Sequence, residues 1–260
     1  LSPLGINRPD IDERQMSYKN FVRIKARDGL EIPTYVTLPR NSNGKNLPLI
    51  VMVHGGPYVR GGFWNWNPEV QLLASRGYAV IEPDFRGSEG YGKKLYQSGW
   101  KQWGLKMQDD LDDVRQWAIN QGYADPNRVC MAGASYGGYA TLMGLIRNPD
   151  LYRCGISWVG VSDINLLFDV SWSDLSEQSQ KYGMRFLIGD QEKDAAQLKA
   201  TSPLEQAARL KNPLILAYGT ADYRVPLVHG TKFYDAIKEH NKDVEWIVYK
   251  DEGHGWNRLD

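Results

Sequence analysis

The feature that most constrains the fold is a regular alternation of short apolar runs with helix-like stretches from residue 47 onward. The apolar runs are rich in β-branched residues and are typical of strands covered on both faces: they span residues 49–53, 79–83, 128–132, 154–161, 214–218 and 244–249. The helix-like stretches between them span residues 69–76, 107–120, 139–147, 204–210 and 227–240. This alternation predicts an α/β fold with a mostly parallel central sheet and helices on both faces.

Two segments stand outside this alternation. Residues 21–26 and 30–38, separated by the turn signal Asp28-Gly29, alternate apolar and polar residues and predict an antiparallel hairpin. Residues 1–20 are polar and form a lead-in, so we assign residues 21–260 to one domain. The segment 163–183, rich in Ser, Trp and Leu, precedes an apolar run at 184–188 and is interpreted as a lid or a pocket wall.

Composition narrows the classes of partner. The chain carries 31 basic and 31 acidic residues and has a net charge of zero. It therefore lacks the excess of basic residues that is typical of proteins that bind nucleic acid or an anionic membrane. The apolar runs are far shorter than the roughly 18 residues that span a bilayer. Cys130 and Cys154 have no metal-site or disulfide-framework spacing, and both are predicted to be free structural thiols in strands. We expect no metal and no cofactor.

The chemistry is indicated first by the sequence Gly133-Ala134-Ser135-Tyr136-Gly137. It directly follows a predicted strand and precedes a predicted helix, which is the context of a nucleophile elbow. The backbone at such a nucleophile is strained and crowded, so the residues two before and two after it must be small. Both are glycines here, and Ser135 is therefore the predicted nucleophile.

A serine nucleophile needs a histidine that accepts its proton, and in this fold the histidine follows the serine in the chain. Of the four histidines, His54 is excluded by that order. His229 and His240 fall at the two ends of a predicted helix, where a solvated side chain or a helix cap is the simpler explanation. His254 lies in a glycine-flanked loop after the last strand, at the sheet edge where such folds place catalysis, and is the predicted base.

The carboxylate that orients the histidine is expected in a loop beyond a strand. Asp222 lies just after the strand 214–218, and Asp163 occupies a comparable place after the strand 154–161. Asp190 and Asp194 belong to a charged stretch that is typical of a solvated surface. We favour Asp222 and keep Asp163 as the alternative.

Attack on a carbonyl also requires two N–H donors for the negative charge that builds on its oxygen. One is expected from Tyr136, the residue after the nucleophile. The other is expected from the glycine-rich turn His54-Gly55-Gly56-Pro57, which directly follows the first parallel strand.

With these residues in view, the chain resembles the catalytic domain of the prolyl oligopeptidase family of serine peptidases, especially its acylaminoacyl-peptidase-like and dipeptidyl-peptidase-like members. The resemblance covers residues 20–258 and implies an α/β-hydrolase fold. Six segments carry it in the family's order: residues 54–57, 84–92, 133–139, 202–204, 219–226 and 252–255.

The resemblance implies that Ser135, Asp222 and His254 form the catalytic triad and that the backbone N–H groups of Gly56 and Tyr136 form the oxyanion hole. Arg224 matches an arginine that, in some members, binds the carbonyl of the residue before the one whose bond is cut. A surface ion pair is the alternative role for Arg224. Arg86 is interpreted as structural.

Most members of this family carry a β-propeller before the catalytic domain, and these 260 residues contain none. We therefore expect an excised catalytic domain of a larger enzyme, with a short stand-alone esterase-like member as the alternative. The predicted activity is a serine peptidase acting on small peptides or acyl-peptides. A carboxylesterase using the same triad is the second interpretation, and a hydrolase fold kept as a binding module is the third. The sequence decides neither homo-oligomerisation nor the compartment.

The segment 163–183 supplies the predicted substrate contacts. Ile164, Leu167, Phe168 and Trp172 are spaced three to five residues apart, which would place them on one helix face turned toward the cleft. Phe168 and Trp172 are the predicted substrate-binding residues, together with Arg224. Packing of this face on the domain itself is the alternative.

Overall fold

A computed structural model describes residues 11–169 and 176–256 of the chain. Its centre is an eight-stranded sheet in the order β1-β2-β4-β3-β5-β6-β7-β8, in which β2 pairs antiparallel with β1 and β4 and all other pairs are parallel. The strands are β1 Lys19–Lys25, β2 Glu31–Thr37, β3 Leu47–Val53, β4 Ala79–Pro83, β5 Ala124–Ala134, β6 Cys154–Trp158, β7 Leu214–Gly219 and β8 Val244–Tyr249. The predicted mostly parallel α/β sheet is confirmed.

Helices connect the parallel strands. They are α1 Pro68–Ser75, α2 Lys93–Ser98, α3 Lys106–Asn120, α4 Tyr136–Arg147, α5 Ile164–Asp169, α6 Arg185–Leu187, α7 Ala195–Ala200 and α8 Val228–Ile237. Two 3₁₀ turns, Glu13–Gln15 and Leu204–Arg209, and a π-helical segment, Ser179–Met184, complete the described elements. The side chain of Asn67 begins α1 by accepting the backbone N–H groups of Glu69 and Val70.

Helices lie on both faces of the sheet. Gly144 of α4 lies against Met131 of β5, and Gly230 of α8 lies against Trp246 of β8. The strand registers put Met131 and Trp246 on the same face. Helix α1 covers the opposite face, where it contacts β4 and where its first residues line a cavity together with Glu82. Because strands β3 to β8 run parallel, the loops that leave their C-terminal ends lie at the same edge of the sheet.

A disulfide bond joins Cys130 of β5 to Cys154 of β6, so the prediction of two free thiols is wrong. The two strands pair in a register that puts these residues directly opposite each other. Their Cα atoms are 4.8 Å apart, within the range that a disulfide requires. The register between two strands is a tertiary property, which the pattern of each strand alone does not encode.

Candidate functional site

Ser135 occupies the sharp turn between β5 and α4. Its backbone has φ 58° and ψ −119°, a region that costs a non-glycine residue on the order of 1 to 3 kcal/mol. The surrounding structure holds it there: its N–H donates to the carbonyl of Trp158 at 3.1 Å, and its carbonyl accepts the N–H of Tyr139 at 3.0 Å. The turn lifts the serine hydroxyl out of the strand line and to the C-terminal edge of the sheet.

The two glycines around the serine are required by close backbone packing. A Cβ atom on Gly133 would lie 2.5 Å from the carbonyl oxygen of Val53, and one on Gly137 would collide with the same oxygen. Strand β3 therefore passes directly against the turn on both sides of Ser135. This contact explains why the sequence has glycine at both positions.

Asp222 and His254 meet because the loops after β7 and β8 are hydrogen-bonded to each other. The N–H of Ala221 donates to the carbonyl of Glu252 at 2.9 Å, and the N–H of Asp251 donates to the hydroxyl of Thr220 at 2.8 Å. Across this junction His254 Nδ1 lies 2.8 Å from Asp222 Oδ2. A carboxylate oxygen only accepts, so the proton of neutral His254 sits on Nδ1 and its Nε2 carries the lone pair.

The second oxygen of Asp222 is also held. Its Oδ1 accepts the backbone N–H groups of Arg224 and Val225, each at 2.9 Å. The Asp222 side chain is fully buried, whereas that of His254 is 25% exposed. The carboxylate thus fixes both the tautomer and the orientation of the imidazole.

The other acid and base candidates have different surroundings. Asp163 accepts the N–H of Asn165 at the start of α5 and the hydroxyl of Ser202, the arrangement of a helix cap. His240 is exposed, with Nε2 3.2 Å from the carbonyl of Ala207. We expected His229 to be solvated or to cap a helix, but it is completely buried. Burial lowers its pKa to about 3.

The glycine-rich turn after β3 lies against the nucleophile. A Cβ on Gly55 would come 3.4 Å from the Cβ of Ser135. His54 Nδ1 lies 2.7 Å from the carbonyl oxygen of Gly55, so this nitrogen carries the proton and donates. In a trans peptide the C=O and N–H point in opposite directions. By holding the Gly55 carbonyl, His54 therefore sets the direction of the Gly56 N–H.

His54 is itself anchored from two sides. Its Nε2 lies 3.0 Å from the hydroxyl of Ser88, which must donate because Nδ1 holds the ring proton. Its ring stacks on Phe85 with centroids 4.4 Å apart and an interplanar angle of 12°. Burial lowers the pKa of His54, and the nearby Asp84 carboxylate opposes this only in part. The sequence analysis placed His54 in the glycine-rich turn and excluded it as the base, but did not predict this anchoring by His54 and Ser88.

A cavity of about 160 Å³ opens beside the serine. Gly56, Ser135 and Tyr136 are among the residues that line it, so both residues predicted to supply the oxyanion donors border the cavity. Its remaining walls are mostly apolar and come from distant parts of the chain: Tyr58, Trp103, Val161, Leu167, Met184, Leu187, Ile188 and Val225. Such a cavity can bury an apolar group next to Ser135.

The predicted substrate-binding residues have three different outcomes. Arg224 borders the cavity. Phe168 is half-buried and packs against the core, while its neighbour Leu167 on α5 borders the cavity instead. Trp172 lies outside the described residues.

Comparison with known proteins was made against families, sequences and solved structures. A family model described as the prolyl oligopeptidase family matches residues 64–259. Dipeptidyl aminopeptidase BIII of Pseudoxanthomonas mexicana is 38% identical to the chain over 272 residues, which cover 99% of the chain and 38% of that protein. The chain thus spans well under half the length of this relative.

Two solved structures share the architecture. An acylaminoacyl peptidase of Pyrococcus horikoshii matches 98% of this chain and 40% of its own, with a TM-score of 0.86 and 29% identity. An acylaminoacyl peptidase in complex with Z-Gly-Gly-Phe-chloromethyl ketone matches 92% of this chain and 38% of its own, with a TM-score of 0.82 and 31% identity. Both again match along less than half of their own length.

No helix within residues 11–169 and 176–256 is long and apolar enough to cross a membrane.

Proposed function

Because this chain belongs to the prolyl oligopeptidase family of serine peptidases, we propose that it hydrolyses short peptides through an acyl-enzyme formed on Ser135. One observation carries the proposal. The strained Ser135 borders a mostly apolar cavity together with Gly56 and Tyr136, at the sheet edge where His254 is held by Asp222. These are the parts that acyl transfer to a serine needs: a nucleophile, an oriented base, two N–H donors and a pocket.

In the proposed reaction, His254 Nε2 takes the hydroxyl proton of Ser135 as Oγ attacks the peptide carbonyl carbon. The negative charge that moves to the carbonyl oxygen is bound by the N–H groups of Gly56 and Tyr136. The C–N bond then breaks, and His254 gives its proton to the leaving amine. Water attacks the resulting ester while His254 accepts a proton from it. The C–Oγ bond then breaks, which releases the acid, and His254 returns its proton to Oγ of Ser135.

The cavity supports a preference for apolar or aromatic acyl side chains. Burial of one such side chain contributes about 1.5 to 3 kcal/mol. The acylaminoacyl peptidase similar in fold is named as a complex with a chloromethyl ketone that carries phenylalanine, which agrees with this preference. Arg224, at the border of the cavity, is proposed to bind the preceding carbonyl of a peptide.

The test compares a dipeptide anilide with a short acyl ester. Ser135→Ala is expected to reduce kcat for both by about 10⁴ to 10⁶, since a triad acts as a unit. Arg224→Ala is expected to reduce kcat/KM for the anilide much more than for the ester, which lacks the preceding carbonyl. Equal losses, or none, would favour a carboxylesterase with the same triad. Activity retained in Ser135→Ala would overturn the proposal for both substrate classes.

A further inference from the structure

One carbonyl group joins the wall of the apolar cavity to the rest of the site. The segment 184–188 supplies three cavity residues, Met184, Leu187 and Ile188. The backbone carbonyl of Leu187 accepts two hydrogen bonds, from the N–H of Lys101 and from the hydroxyl of Tyr58, each at 2.6 Å. The wall is therefore attached to its surroundings at a defined point.

Tyr58 belongs to the turn of residues 54–58 that follows β3 and carries the proposed oxyanion donor Gly56, hereafter the oxyanion turn. Only Pro57 separates it from Gly56, and both Tyr58 and Gly56 border the cavity. The Tyr58 ring has little freedom, because it packs edge-on against Tyr96 at 6.0 Å and closely against Gly87. Its hydroxyl also lies 3.2 Å from the carbonyl of Gly99. One side chain thus ties the oxyanion turn to the cavity wall, 129 residues away in the chain.

We propose that Tyr58 is a positioning residue through which an acyl side chain in the cavity orders the oxyanion turn. The proposal rests on the proposed function of the site. A side chain that fills the cavity packs on Leu187 and Ile188 and restricts the motion of segment 184–188. The hydrogen bond from Tyr58 to Leu187 passes that restriction to Gly56. Part of the binding energy of the acyl side chain is then used in the transition state and raises kcat, rather than only lowering KM.

Tyr58 also packs against its neighbours in the site. Packing alone would not make its effect on kcat depend on the acyl side chain. Tyr58→Phe keeps the ring and removes only the hydroxyl. The Leu187 carbonyl retains the N–H of Lys101, so no buried acceptor is left without a donor. The variant should therefore fold and retain the cavity while losing the connection.

The experiment measures kcat and KM separately for anilides with alanine, valine, leucine or phenylalanine at the acyl position. In the wild type, kcat should rise along this series. In Tyr58→Phe, kcat for the leucine and phenylalanine substrates should fall about three- to tenfold, as expected for one lost hydrogen bond, while kcat for the alanine substrate changes less than twofold. The order of KM values should stay the same.

Tyr182→Phe is the matched control, because Tyr182 lies in the π-helical segment next to the wall and its side chain points to solvent, with the residue 64% exposed. It should behave like the wild type. An equal loss of kcat for all four substrates in Tyr58→Phe, or a loss confined to KM, would overturn the coupling. Absence of any Ser135-dependent hydrolysis in the wild type would instead overturn the proposed function, and the role of Tyr58 with it.

Discussion

Replacing His54 with alanine should impair the chemical step although His54 is outside the proposed triad. The change removes the hydrogen bond from Nδ1 to the Gly55 carbonyl and the stacking of the imidazole on Phe85. The hydrogen bond contributes on the order of 1 kcal/mol, and the stacking contributes about 0.5 to 1.5 kcal/mol. Together they give about 1.5 to 2.5 kcal/mol of restraint on the Gly55–Gly56 peptide, equivalent to about 13- to 70-fold in rate.

This value lies below the 10²- to 10³-fold cost of deleting an oxyanion donor outright, as expected when the donor remains but is no longer held. Ser88→Ala keeps the imidazole and removes only its second anchor, so it should cost about fivefold. His240→Ala is the control, because His240 is an exposed histidine hydrogen-bonded to the carbonyl of Ala207.

The assay is steady-state hydrolysis of an activated ester, with thermal unfolding to show that each variant is folded. For both changes near the oxyanion turn the loss should appear in kcat with little change in KM, since the donor acts on charge that develops only in the transition state. A kcat within twofold of the wild type in His54→Ala, or a loss found entirely in KM, would refute the reasoning.

Four further outcomes are expected. Asp222→Asn should lower kcat about 10⁴-fold by favouring the wrong tautomer of the base, whereas a nearly unchanged kcat would remove Asp222 from the triad. Gly137→Ala, which drives a methyl group into the carbonyl of β3, should lower the free energy of unfolding in urea by about 2 to 3 kcal/mol, and an unchanged midpoint would contradict the close contact. Reduction of the Cys130–Cys154 disulfide, which closes a loop of 24 residues, should lower that free energy by about 3 kcal/mol; equal stability with and without dithiothreitol would show that the bond does not form. Burial lowers the pKa of His229 to about 3 from 6.5, so between these values the unfolded chain binds a proton that the folded chain does not, and the histidine's contribution to stability falls as the pH falls. His229→Gln lacks this dependence. As the pH falls from 6 to 4, its free energy of unfolding relative to that of the wild type should therefore rise by up to about 1.4 kcal/mol per pH unit; a constant difference would contradict the buried neutral state.

The parts of the fold that have a local sequence pattern were predictable from the sequence. Each parallel strand contains a short apolar run, so its approximate position followed from local pattern, and the described strand Ala79–Pro83 agrees with the prediction at both ends. The turn at Ser135 was also visible, because strand, glycine, serine, glycine and helix follow one another without interruption. Here a local sequence signal and a local structure coincide.

Features that depend on which segments become neighbours were not predictable. The disulfide depends on the register of β5 and β6. The burial of His229 depends on which face of α8 packs against the loop that carries Ser162. The backbone nitrogen of Ser162 lies 3.3 Å from Nδ1 of His229. The wall of the cavity is another example, since Leu187 lies in the short helix α6 and its carbonyl is held by Tyr58 and Lys101, which are distant in the chain.

The most direct test of the central claim is to locate the residue that becomes acylated. The 260-residue chain is treated with a fluorophosphonate, which reacts with activated serine nucleophiles, and the modified residue is identified by mass spectrometry of its peptides. We predict one adduct, on Ser135, that is absent in Ser135→Ala and strongly slowed in His254→Ala. An adduct on another residue, or an unmodified Ser135 in a chain that hydrolyses esters, would contradict the assignment of Ser135 as the nucleophile.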